Sequence, residues 1–179
     1  MNINFSPFPV LKTNRVTLRE LVFDDAQQIM LLRSDPQVNK FLGRVPAITM
    51  DDAYAFIEKI GKAIIDNRSM YWAINLNNDN TLVGTICLWN LNYELDMAEI
   101  GFELNTTFQG KGIMAEAIKQ VIDYGFGQME LKVITALTVK ENERSINTLL
   151  KHRFLLDADH SFVTESEADG LLVYYLANY

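Results

Sequence analysis

Cysteine occurs once in this sequence, as Cys87, so no intrachain disulfide can form. Histidine is nearly as scarce. With only His152 and His160 beside that cysteine, a four-ligand zinc cluster of the Cys/His type is excluded, and no structural metal is expected. The four prolines all fall at or before Pro46, and neither an internal repeat nor a low-complexity tract appears, so residues 1–179 read as a single domain. No apolar run approaches the roughly 18 to 20 residues that cross a bilayer, which argues against a membrane protein. Positive charge is in deficit: 16 Lys and Arg against 23 Asp and Glu leave a net charge of −7. Such a field repels phosphate backbones and argues against nucleic-acid binding. The opening Met-Asn-Ile-Asn-Phe lacks the basic stretch and long apolar segment of a secretory signal, so a cytoplasmic protein is expected.

What is present is a globular composition, 49% apolar and 22% charged, in a chain long enough to bury roughly 70% of its unfolded surface. Val16 to Leu21 alternates with the two-residue period of a half-buried strand. Asp24 and Asp25 then offer an N-cap to a helix carrying Ile29, Leu31 and Leu32. Thr49 with Asp52 has the spacing of a capping box and opens a helix over about residues 50 to 66, with Ala53, Phe56, Ile57, Ile60 and Ile64 at helical intervals. Tyr71 to Leu76 and Leu82 to Trp89 are strand-like runs joined by Asn77-Asn78-Asp79-Asn80, an antiparallel hairpin. Ala98 to Leu104 is a further strand, followed by a polar turn, a helix with Ala117, Ile118, Val121, Ile122 and Phe126 on one face, and the strand Val133 to Val139. That stretch is a β-α-β unit. Ser145 to Lys151 reads as a short helix, with Phe154 to Leu156 and Leu171 to Leu176 as closing strands. The order is that of a mixed α/β fold, antiparallel in its first half with a parallel pair in the middle.

The turn Gln109-Gly110-Lys111-Gly112-Ile113-Met114 joins the end of a strand to the start of a helix. Its two glycines let the backbone turn sharply and approach a ligand, and the first helical N–H groups are left without partners, which is how an anion is cradled. Lys111 adds a positive charge. The same glycines would also serve a plain tight loop. A Walker-type loop is excluded, because Gly112 follows Lys111 where Ser or Thr is needed. The dinucleotide pattern G-x-G-x-x-G/A is met literally by Gly110 to Ala115, but the acidic residue expected about 20 positions on is Thr135, and there is no second similar half.

The remaining pattern is Q/R-x-x-G-x-G/A, and here the sequence resembles the GNAT superfamily of acyl-CoA-dependent N-acyltransferases. More narrowly it looks like the RimJ/RimL-type branch, which includes the N-terminal acetyltransferases of ribosomal proteins. The likeness runs from about Phe8 to Leu176. It rests on Phe8 to Arg19, on Ala98 to Leu104, on Gln109 to Ala117 and on Asn142-Glu143-Arg144-Ser145, in the family's order. It implies a central twisted mixed sheet of about six to seven strands flanked by about four helices, with splayed parallel strands in the middle. It implies acetyl-CoA as cosubstrate, its pyrophosphate held by the backbone of Gln109, Gly110, Lys111, Gly112, Ile113 and Met114. The pantetheine would bond to the main chain of Phe102 and Leu104, and Asn142 and Ser145 would border the same site.

The implied reaction is direct attack by an amine in a ternary complex. A protonated amine needs an acceptor for its proton. Glu99 and Glu103, four apart on one strand, share a face; Glu103 is preferred, and Glu165 is a weaker candidate. Either glutamate could instead be a solvated or salt-bridged carboxylate. Relatives that place a tyrosine after the Asn-x-x-Ser segment use it to protonate the departing thiolate. This chain has Leu149 there, which makes Ser145 the candidate donor, although Asn142 and Ser145 also suit a turn and a helix cap. Two further departures are Met114, where the loop usually has Gly or Ala, and Arg153, where Gly normally precedes Phe154. Cys87 reads as a small apolar filler, Trp72, Trp89 and Tyr93 as core or sheet-face aromatics, and both histidines as surface residues. The acceptor is expected to be a protein N-terminal α-amine. A small amine or polyamine, and a non-catalytic acyl-CoA sensor, are the alternatives, and a homodimer is left open.

Overall fold

The computed structural model describes residues 1–78, 80–164, 166 and 168–178. Glu165 lies outside them, as does Asp79 of the expected hairpin turn. The strands are β1 (Leu11–Lys12), β2 (Val16–Glu20), β3 (Met70–Leu76), β4 (Leu82–Asn92), β5 (Met97–Leu104), β6 (Val133–Thr138), β7 (Leu155–Leu156) and β8 (Leu172–Ala177). The α-helices are α1 (Ala26–Ser34), α2 (Pro36–Asn39), α3 (Met50–Ile65), α4 (Ile113–Gly127) and α5 (Glu143–Lys151). All eight strands form one sheet in the order β1-β2-β3-β4-β5-β6-β8-β7. Beyond the seven strands and four helices read from the sequence, β7 among them, the structure adds β1 and α2. They are two and four residues long, too short to leave a periodic trace in sequence.

Local chemistry accounts for the helix starts. Thr49 Oγ1 accepts from the Asp52 N–H at 3.1 Å and Asp52 Oδ2 accepts from the Thr49 N–H at 2.9 Å, the reciprocal pair that fixes the first turn of α3. Those bonds, Thr49's side chain foremost, hold the Asp52 carboxyl below its usual range. Asp25 precedes α1 as expected but makes no side-chain cap bond. Its carboxylate instead takes the Arg19 guanidinium fork at 2.8 and 2.6 Å and the Val22 N–H at 2.9 Å. On α1, Ile29 and Leu32 are buried while Leu31, expected beside them, is 53% exposed, because the residue one position before Leu32 is turned about 100° away.

The two faces of the sheet differ. Trp72, Ile86, Leu88, Ile100 and Ile134 belong to the core that includes Ala117, Ile118 and Val121 of α4. Trp72 is wholly buried, meets Tyr124 of α4 edge-on at 5.5 Å and Phe8 at 6.2 Å, and donates its indole N–H to Pro9 O at 2.9 Å. The other face carries Tyr71, Thr85, Cys87, Glu99, Gly101 and Glu103, packed beneath α1 and α3 through Tyr71 against Phe56.

Among the described residues, β5 and β6 are the parallel pair, and they are hydrogen-bonded neighbours only over Met97–Glu99 and Val133–Thr135. Beyond that they part. β5 continues to Leu104 beside β4, and β6 continues to Thr138 beside β8. The closed end is pinned by the Lys132 N–H on Asp96 O at 2.7 Å and by the Lys132 ammonium on Asp96 Oδ2 at 2.7 Å. The open end is a wedge with α4 starting at its mouth.

Candidate active site

The strand-to-helix junction is built from backbone. Asn105 Oδ1 accepts from the Thr107 N–H at 3.0 Å, shaping the single 3₁₀ turn after β5. Gly110 and Gly112 both take positive φ, 74° and 77°, where a side chain would be strained. Gly112 is the residue before α4, so the N–H groups of Gly112, Ile113, Met114 and Ala115 begin a 15-residue helix at the positive end of its dipole. This is the backbone geometry expected from the glycine spacing, and amides at a helix start can hold an anion.

Five side chains lock the junction. Gln109 Nε2 donates to Leu104 O at 2.9 Å, tying the loop to the free end of β5, and Gln109 Oε1 accepts from Arg144 at the start of α5. Arg15, between β1 and β2, donates from Nη1 to Lys111 O at 2.8 Å and from Nε to Glu116 Oε1 at 2.5 Å. Thr13 Oγ1 donates to the other oxygen of Glu116 at 2.8 Å. These bonds hold the Glu116 carboxyl below its ordinary value against the opposing effect of burial. Arg15 and Arg144 were not among the expected site residues, although both lie inside the quoted sequence segments. Lys111 extends over the Phe108 ring, 5.4 Å from its centre.

The bond from Arg144 to Gln109 brings the start of α5 to the junction, and Asn142 and Ser145 belong to the same first turn as Arg144. Asn142 Oδ1 accepts from the Ser145 N–H at 3.2 Å, the helix-capping arrangement that local chemistry favours. His152, expected at the surface, is half-buried. Its Nδ1 lies 2.8 Å from Thr148 O and its Nε2 3.0 Å from Ala115 O, bridging α5 to the first turn of α4. His160 is exposed.

On the α1/α3 side, Glu103 is buried and committed. Its Oε2 lies 2.6 Å from Arg44 Nη1, its Oε1 accepts from Thr85 Oγ1 at 3.2 Å, and Thr85 in turn accepts from the Tyr71 hydroxyl at 2.8 Å. Arg33 stands 4.0 Å from the same carboxylate. Glu99 is half-buried on the same face, opposite Trp89, which is 46% exposed. Cys87 lies between Thr85 and Trp89. Burial pushes its thiol up to about 12, which leaves it neutral and poorly suited to carry an acyl group. Tyr93 donates to Asn67 O at 2.8 Å, away from the wedge. Among the described residues no cluster of His, Cys, Asp and Glu is placed to hold a metal ion, and no helix is long and apolar enough to cross a membrane.

Known proteins share both the fold and the sequence pattern. The acetyltransferase (GNAT) domain family matches residues 15–154. The uncharacterized N-acetyltransferase YoaA of Bacillus subtilis is 31% identical over 147 residues, covering 82% of this chain and 83% of that protein. YnaD of the same organism, another uncharacterized N-acetyltransferase, is 33% identical over 141 residues, 79% of each chain. The spermidine N(1)-acetyltransferase of Escherichia coli is 25% identical over 152 residues, 82% of this chain and 77% of the other. Two solved structures superpose closely. The ribosomal-protein-S5-alanine acetyltransferase of Vibrio fischeri does so with a TM-score of 0.77 at 18% identity, over 95% of this chain and 97% of that one. The microcin C7 self-immunity acetyltransferase MccE, in complex with acetyl-CoA and AMP, does so with a TM-score of 0.80 at 21% identity, over 99% and 100%. With the splayed strands, the glycine junction and these matches together, the chain belongs to the GNAT acetyltransferase family.

Proposed function

We propose that this protein transfers the acetyl group of acetyl-CoA to a primary amine, a protein N-terminal α-amine, by direct attack in a ternary complex. The observation that carries the reading is the junction at the mouth of the β5/β6 wedge. The backbone of Gln109–Met114 would hold the pyrophosphate, and the edge of β5 that β6 leaves after Glu99 would receive the pantetheine through the main chain of Phe102 and Leu104. A backbone N–H in the wedge would stabilise the oxyanion of the tetrahedral intermediate. Glu103, fixed by Arg44 and Thr85, takes the amine's proton directly or through water, with Glu99 as the other acceptor on that face. Ser145 protonates the departing thiolate. A cytoplasmic location is part of the same proposal.

The test is thiol release with a panel of N-terminal peptides and polyamines, beside calorimetric binding of coenzyme A. Release with peptides is the expected result. A preference for polyamines would move this chain towards the spermidine acetyltransferase it is similar to, and binding with no release would make it an acyl-CoA sensor. Glu99→Gln and Glu103→Gln, assayed one at a time against pH, identify the proton acceptor, since its loss lowers kcat by about 10²-fold or more and removes the acidic limb of the profile, where rate rises as the carboxyl deprotonates. Ser145→Ala is expected to lower turnover while coenzyme A binding stays unchanged.

A further inference from the structure

On the face of β5 turned away from α4, two guanidinium groups converge on the single carboxylate of Glu103, with Glu99 four residues back on the same face. Arg33 of α1 and Arg44 of the loop after α2 converge on Glu103, whose side chain is 7% exposed. The arginines keep only 15% and 21% of their side-chain surface open. Both are held in place. The Arg33 guanidinium lies 3.8 Å above the centre of the Phe56 ring, and Arg44 Nε donates to Asn39 Oδ1 at 2.8 Å. Asn39 is itself fixed by donating to Arg33 O at 2.6 Å. Two guanidinium donors, Arg33 Nε and Arg44 Nη2, are buried without an acceptor, against one acceptor of the same cluster, Glu103 Oε2, that lacks a hydrogen bond. Burial first, and the charge of Arg44 second, push the Arg33 pKa below its ordinary value. A buried cation short of a counter-charge is costly, more so than the same cation in a completed cluster. In a protein of net charge −7 this pairing of guanidinium groups is not a general surface property.

The missing component is an anion. Glu103 belongs to the stretch of β5 that has parted from β6, between Phe102 and Leu104 on the cofactor side. Arg33 and Arg44 stand on the α1/α3 side of this stretch, each with part of its side chain open to solvent. We propose that Arg33 and Arg44 form an anion subsite for the acceptor, so that the amine acetylated here carries a carboxylate within a few bonds of its nitrogen. This rests on the acetyl-transfer reading above. Planar guanidinium donors match a carboxylate in two-point geometry, and the Arg44 Nη1 contact with Glu103 can persist while the remaining donors take the ligand. The carboxylate can be the α-carboxylate of a free amino acid or an acidic side chain next to a peptide N-terminus.

Acetyl-CoA-dependent thiol release with matched acceptors separates these cases. One arm compares phenylalanine with phenylalaninamide, a second compares a hexapeptide beginning Ser-Glu with the same peptide beginning Ser-Gln, and spermidine is the third. The carboxylated member of at least one arm is expected to exceed its neutral partner in kcat/KM by about tenfold or more. Arg44→Gln, whose amide can still donate to Glu103, and Arg33→Lys should each bring that ratio towards one, with coenzyme A calorimetry showing that the variants are folded. Release at equal or higher rates with the neutral members or spermidine overturns the subsite and leaves acetyl transfer standing. A preference unchanged in both variants overturns its assignment to these arginines. No release with any acceptor, while coenzyme A binds, overturns the transferase reading and the subsite with it.

Discussion

The two sides of β5 are built on different principles. On the α4 side the site is made of main chain: two glycines at positive φ, a helix start and a strand edge, seated on the apolar layer that contains Trp72 and Ile100. On the α1/α3 side it is made of side chains that meet from four segments, Arg33, Arg44, Thr85 and Glu103, with buried donors still unmatched. A carrier shared by many enzymes can be gripped by groups every residue has. An acceptor that distinguishes one enzyme from another needs functional groups the backbone lacks.

The sharpest way to break the cofactor side is to hollow out its support. Trp72→Ala removes the largest wholly buried side chain beneath α4 and is expected to cost about 3–5 kcal/mol in denaturant unfolding. A loss of about 1 kcal/mol would mean the layer does not bear on the fold as described. Gly112→Val attacks the junction alone. A β-branched residue at φ 77°, with its Cβ 3.1 Å from the Arg15 guanidinium, costs about 1–3 kcal/mol locally. The KM for acetyl-CoA should therefore rise about ten- to hundredfold, more than kcat falls. Thr49→Ala tests the other side. Loss of the α3 capping box should lower stability by about 1 kcal/mol while coenzyme A affinity stays unchanged, and an affinity change would show that the two sides are coupled.

The smallest effect concerns the closed end of the wedge. The Asp96 carboxyl is brought from 3.8 to about 2, by its bond to the Lys132 ammonium first and by the Met1 amino group 2.5 Å away second. A folded value below the unfolded one contributes stability that is complete above about pH 4 and is lost as pH falls towards 2. The drop in Tm between pH 5 and pH 2 should be shallower in Lys132→Met than in the unaltered protein. Equal slopes would detach Asp96 from the wedge.

The same contrast explains what could be read from sequence. Gly110 and Gly112 are legible because their conformational role is local and tied to spacing, and the capping box of α3 is legible for the same reason. Arg33 and Arg44 are not, because the alternation or helical period of a segment does not say which charged side chain turns inward. A signal did exist at Arg33, which follows Leu32 and lies four residues after Ile29, at the border of the buried stripe of α1. Arg15 lay within a quoted segment, but its target is 96 positions away and no local rule points to it. Asn142 was legible as a cap, and its capping bond is the role the geometry displays.

That long reach has a consequence for the order of assembly. The shape of the Gln109–Met114 loop is held by an arginine that leaves the ribosome about 100 residues earlier, and such distant contacts form late because closing the intervening chain is entropically costly. Competence to hold the cosubstrate is therefore among the last properties a newborn molecule acquires, and it reports on the seating of the first hairpin as much as on the loop itself.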